Sequence, residues 1–106
     1  MTPAADGSAG DPSNSAPVLT RVVMICNARG LHARAAAKFV SLAERFGASV
    51  EVVKDGQSVS ARSIMGLMML AAAPGTSITV EATGKEAAEV IAALTALIDS
   101  RFGEED

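Results

Sequence analysis

The chain reads as an α+β domain in which a four-stranded, mostly antiparallel sheet carries three helices on one face. Three observations predict it. Segments 19–26, 49–54, 57–60 and 76–82 are short, rich in Val, Ile, Ser and Thr, and repeat with the two-residue period of strands. Segments 32–46, 64–70 and 87–98 are apolar stretches of helical length or period. Asp55-Gly56 is a strong hairpin signal between the second and third strand segments. The element order is therefore β-α-β-β-α-β-α. Alternating strands imply one buried and one wet sheet face, so helices on a single face are the economical packing.

Each element follows from its residues. Leu19 to Cys26 is the first strand, and Asn27-Ala28-Arg29-Gly30 breaks it. From His32 the period turns helical, with Ala36, Phe39, Val40, Ala43 and Phe46 on one face and Gly47 as the stop. Ser49 to Lys54 alternates at Val50 and Val52, and Gln57 to Ser60 is the return strand. Ser63 stands at a helix N-cap ahead of the run Ile64 to Leu70, which Pro74-Gly75 ends. Thr76 to Ala82 places Ile78 and Val80 on one side. Thr83-Gly84-Lys85-Glu86 matches a capping box, with Thr83 at N-cap and Glu86 at N3. Ala87, Ile91, Leu94 and Ile98 then form the stripe of the last helix, which ends near Arg101.

A length of 106 residues fits one domain. Residues 1–17 hold three of the four prolines and no bulky apolar residue beyond Met1, so they read as a disordered tail ahead of a domain at 18–106. Of the 49% apolar residues 21 are Ala, which leaves enough bulk for one thin core. Residues 18–103 contain all nine Lys and Arg and seven of the twelve acids, a surplus of two positive charges. That body is too weakly basic for a nucleic-acid binder, and the lack of Trp and Tyr removes base-stacking platforms. A small basic patch for an acidic partner or a phosphate remains possible. One Cys and one His form neither a disulfide nor a zinc site, so no metal is expected. The longest apolar stretch, Ile64 to Ala73, is far short of the roughly 20 residues of a membrane span. No basic residue precedes Arg21 and no apolar run opens the chain, so a signal peptide is not expected, and the cytoplasm is the simplest compartment.

The sequence has no GxxxxGK[ST], no GxGxxG and no Cys–His pair with a third member. His32 is its one histidine, in Gly30-Leu31-His32-Ala33-Arg34, after a strand and at a helix start. The first helical turn presents unpaired N–H groups and a positive dipole end, which suit an anion. That field disfavours an imidazolium, and a neutral ring nitrogen is a competent nucleophile. Arg34 can fork onto phosphate oxygens, and Arg29 and Lys38 can add to the field. These parts suit a histidine that accepts a phosphoryl group; on the residues alone, a polar His in a surface turn is the simpler account. The helix Ile64, Met65, Gly66, Leu67, Met68, Met69, Leu70 has no polar face. Some of Ile64, Met65 and Met68 must be exposed, and flexible methionines suit a docking surface. Ser63 is by default a cap, and alternatively a phosphorylation site whose dianion would sit beside that surface. Cys26 reads as a small core residue rather than a reactive thiol.

Gly30-Leu31-His32-Ala33-Arg34 with Ala36-Ala37-Lys38-Phe39-Val40 resembles the active-site signature of HPr. HPr is the histidine phosphocarrier family of the bacterial phosphoenolpyruvate-dependent phosphotransferase system. Ser63-Ile64-Met65-Gly66-Leu67-Met68 resembles that family's regulatory-serine segment, and the resemblance runs from about Leu19 to the C-terminus. Val80 to Gly84 and Ser100 to Asp106 are similar to the nitrogen-related branch. The resemblance implies an open-faced β-sandwich of HPr type. It implies that His32 takes a phosphoryl group on Nδ1 from enzyme I, which draws on phosphoenolpyruvate, and passes it to a histidine of an EIIA-type acceptor. Arg34 matches the phosphate-site arginine. Ile64, Met65 and Met68 match docking positions, and Ser63 matches the serine modified by HPr kinase/phosphorylase. No cofactor resides on such a carrier, which would act as a monomer. One position departs: Ala35 stands where the family usually has Pro after the arginine. Two other classes compete with the carrier. One is a regulatory protein-binding module of HPr-like fold switched at Ser63, which has no need of a His32–Arg34 pair. The other is a ligand-sensing domain, which would require an attached effector.

Overall fold

The computed structural model describes residues 17–104. The expected disordered tail therefore lies outside the described residues, apart from Pro17. The strands are β1 (Leu19–Met24), β2 (Ser49–Lys54), β3 (Gln57–Ser60) and β4 (Ser77–Thr83). The helices are α1 (Ala33–Ala43), α2 (Ile64–Met69) and α3 (Ala87–Asp99), and a 3₁₀ turn follows at Arg101–Gly103. The strands form one antiparallel sheet in the order β1-β4-β2-β3. All three helices lie on one face, as the strand periodicity and the resemblance both imply.

The helix-side face is built by alternation. Val23 of β1, Ile78, Val80 and Ala82 of β4, and Val50 and Val52 of β2 are buried. They meet Ala35, Ala36, Phe39, Val40 and Ala43 of α1, and Ala87, Val90, Ile91, Leu94 and Ile98 of α3. Helix α2 contributes only Leu67 to this core. On the opposite face Val22 and Met24 are exposed, and Glu51 of β2 stands directly across from Glu81 of β4. Ser58 donates a hydrogen bond to Glu51 Oε1 at 2.9 Å.

Several boundaries differ from expectation, each for a tertiary reason. Helix α1 stops at Ala43 rather than Phe46, because Arg45 N and Phe46 N bond three residues back, to Leu42 O and Ala43 O, and tighten the exit. The capping box does not form. Thr83 is the last residue of β4, Glu86 occupies the N-cap of α3, and its carboxylate accepts from Gly47 N at 2.6 Å instead. The Glu86 side chain thus bonds the exit of α1 rather than the start of its own helix. Cys26 is not a core residue: it is exposed, and its thiol donates to Ile98 O at 3.3 Å. The strand ends at Met24, so Cys26 lies in the loop that follows it.

Candidate functional site

The loop from β1 to α1 is pinned against the segment that leads into β4. Ile25 N donates to Thr76 O and Gly75 N to Ile25 O, both at 2.8 Å, and Leu31 N donates to Ala72 O at 2.9 Å. Gly30 takes φ +65° at this contact, and a Cβ there would come within 2.5 Å of Ala72 O. Only glycine tolerates both the backbone angle and the approach. Leu31 is buried beside it. The constraint delivers His32 to the N-cap of α1 with extended backbone angles (φ −77°, ψ 179°).

The His32 side chain makes no capping bond to its own helix. The first-turn N–H groups of α1 therefore stay available, and no acidic residue stands in that turn. The imidazole instead pairs through Nε2 with Glu104 Oε2. A carboxylate only accepts, so Nε2 carries a proton, and in the neutral ring Nδ1 is then the nitrogen with the lone pair. The other carboxylate oxygen, Oε1, accepts from Asn27 Nδ2 at 3.1 Å, and the same amide nitrogen donates to Gly30 O at 2.8 Å. The hydrogen bond from His32, and then that from Asn27, hold the Glu104 carboxyl below its ordinary value of 4.5; partial burial opposes them, and the charges of His32 and Arg29 add to the lowering.

Glu104 arrives by an unusual route. Arg101, Phe102 and Gly103 take φ +59°, +56° and +72° in succession, a left-handed turn that reverses the chain after α3. Buried Phe102 anchors the turn, and Lys38 Nζ donates to Phe102 O at 2.6 Å. Lys38 Nζ is thus held on the C-terminal turn, two residues before Glu104. Arg34, in the first turn of α1, is exposed and makes no hydrogen bond or ion pair among the described residues. Arg29 lines a shallow cleft of about 260 Å³ with Leu31, His32 and Ala71 to Pro74.

Helix α2 packs against α1. Ser63 is its N-cap, and Ser63 Oγ accepts from Gly66 N at 2.9 Å. Gly66 gives this cap its room, since a Cβ would stand 3.0 Å from Ser63 Oγ and 3.1 Å from Val59 Cβ. Ile64, Met65 and Met68 are 39%, 70% and 40% exposed, and Met69, unremarked in the sequence, is 70% exposed. The structure thus brings His32 and Arg34 onto one helix start and Ser63 with the apolar patch onto a neighbouring helix. Asn27 and Glu104 were missed. Their signals were weak: a loop Asn, and one acid in a closing acidic run.

Residues 19–100 match the family described as the PTS HPr component phosphorylation site. The span ends before the turn that carries Glu104. The chain is 48% identical over 87 residues to the phosphocarrier protein HPr of Cupriavidus necator, covering 82% of this chain and 98% of that protein. It is 43% identical over 86 residues to the phosphocarrier protein NPr of Shewanella violacea, covering 81% and 94%. These similarities do not support an assignment to the nitrogen-related branch. Among solved structures, HPr-C-His from Thermoanaerobacter tengcongensis superposes with a TM-score of 0.79 at 43% identity, covering 83% of this chain and 99% of that one. The chain belongs to the HPr family, the phosphocarrier proteins of the phosphotransferase system.

Proposed function

We propose that His32 is the phosphoryl-accepting residue, that it is charged by an enzyme I-type donor fed by phosphoenolpyruvate, and that it discharges to an EIIA-type acceptor. The observation that carries this is the pairing of Nε2 with Glu104, which leaves the Nδ1 lone pair free at the start of α1. In the forward step Nδ1 forms a bond to phosphorus. The bond from phosphorus to the donor's leaving atom breaks, and its electron pair stays with the donor. Nε2 keeps its proton, so the substituted ring becomes cationic and Glu104 balances that charge. Arg34 and the first-turn N–H groups hold the phosphoryl oxygens. Transfer onward reverses the step. The exposed Ile64, Met65 and Met68 form the docking surface for both partners, with Met69 extending it. The protein works as a cytoplasmic monomer and needs no metal or cofactor for this cycle.

Incubation with phosphoenolpyruvate and enzyme I, read by intact mass, tests the assignment. The natural chain gains one acid-labile phosphoryl group. His32→Ala gains none and keeps its circular dichroism, because the 21% exposed His32 side chain carries little core packing. An adduct that persists in His32→Ala would show the assignment to be wrong, and a loss of fold in that variant would show the histidine to be structural. A second reading is favoured by one observation: Ser63 Oγ caps α2 beside the exposed methionines. Phosphorylation of Ser63 by an HPr kinase/phosphorylase would place a dianion against that patch and switch its partners.

A further inference from the structure

Asn27 is the one buried polar side chain in the described core, with no exposed surface at all. Its two amide protons reach two different things. One bonds Gly30 O, the carbonyl at the glycine that sets up the His32 loop, and the other bonds Glu104 Oε1. Its backbone carbonyl also accepts from Gly30 N at 3.2 Å, so residue 27 closes the turn from both sides. The side-chain Oδ1 has no hydrogen-bond partner among the described residues. A buried acceptor left unpaired is costly, and a residue serving only to fill space would be apolar. Asp would match Asn27 in shape, yet it would face two oxygens with two oxygens. The position therefore needs a donor pair, and the two acceptors are the loop and the carboxylate.

We propose that Asn27 is a positioning residue that holds the Glu104 carboxylate against His32 Nε2, and so keeps Nδ1 as the free nitrogen of the ring. Glu104 is gripped at both oxygens, one by Asn27 and one by His32. With Asn27 in place the carboxylate plane is fixed. Without it the carboxylate turns freely at the end of a short terminal segment, and the bond to Nε2 is lost for part of the time. The remaining groups at the carboxylate do not replace Asn27. Arg29 acts on it only through its charge, and Lys38 is bonded to Phe102 O. The meaning of this for catalysis rests on the assignment of His32 as phosphoryl acceptor; the positioning itself does not.

The test is proton NMR of the full chain, with Asn27→Ala, Glu104→Gln and the double variant. In the natural protein the His32 Nε2–H resonance is protected from exchange with water. Asn27→Ala exposes it to the same degree as Glu104→Gln, and the double variant adds nothing further. Asn27→Ala also moves the Glu104 carboxyl titration up toward its ordinary value. On the same samples, phosphoryl acceptance from enzyme I slows on the order of tenfold in each single variant, and equally in the double. An Nε2–H as protected in Asn27→Ala as in the natural chain overturns the proposal. So do additive effects of the two substitutions. If Asn27→Ala does not fold, the natural protein still decides: the Asn27 side-chain amide protons shift in Glu104→Gln, and unmoved resonances refute the contact. The protection measurement needs no phosphoryl donor. A failed carrier assignment would therefore leave the Nε2–H result intact, and a failed positioning role would leave phosphorylation of His32 intact.

Discussion

Glu104 ties the acidity of the solution to the fold through one carboxyl. Its folded value lies below 4.5, chiefly through the hydrogen bond from His32 and then that from Asn27. A depressed carboxyl stabilises the native state fully above its unfolded value, and that contribution is lost as pH falls through the folded value. Thermal melts of the natural protein should therefore converge on those of Glu104→Gln as pH is taken down from about 5, while the natural protein melts higher at neutral pH. Equal melting temperatures at neutral pH would show that the contact contributes nothing to stability. Ala35 makes a second point at this scale. It is fully buried in the first turn of α1, where a proline would fix φ and supply no N–H. Ala35→Pro removes one donor from the helix start and stiffens the turn. Phosphoryl transfer survives in both forms, with rates that differ by no more than about tenfold, the worth of one hydrogen bond. Single-turnover kinetics would check this; an inactive natural protein revived by proline would contradict it.

Helix α2 is short, buries Leu67 alone, and depends on its cap. A phosphate-like charge at that cap is compatible with the helix dipole but lies against the methionine patch. Ser63→Asp should raise the KM for enzyme I while circular dichroism stays unchanged; identical transfer kinetics would remove Ser63 as a control point. The same scale shows what could be read in advance. Apolar period placed Phe39, Val40, Leu94 and Ile98 in the core, and Ser63 was legible as a cap because its partner lies only three residues away. Glu86 was misread because its acceptor role is filled from a distance of 39 residues, by Gly47 N. The Glu104–His32 contact spans 72 residues and depends on Arg101 and Phe102 adopting positive φ. No propensity predicts that for these side chains. The placement of His32 and Arg34 on one helix start was legible because it is local, whereas the contacts that hold His32 are not.

Over the whole molecule, the helices and the sheet divide the labour. The helix side holds the thin core, and the site is set where β1, α1 and the chain's last turn meet. On the opposite sheet face Val22, Met24 and Glu51 are exposed, while Val53, Thr79 and Glu81 are half-buried. There Glu51 and Glu81 are direct cross-strand neighbours of like charge on the two central strands, an arrangement that works against the sheet. Added salt screens exposed charges over a Debye length of about 10 Å at 0.1 M. The natural protein should consequently melt at a higher temperature in moderate sodium chloride than in dilute buffer, with the gain abolished in Glu81→Gln. For anyone handling this carrier, the ionic strength of the buffer is thus a stability variable in its own right, acting from the face remote from the histidine.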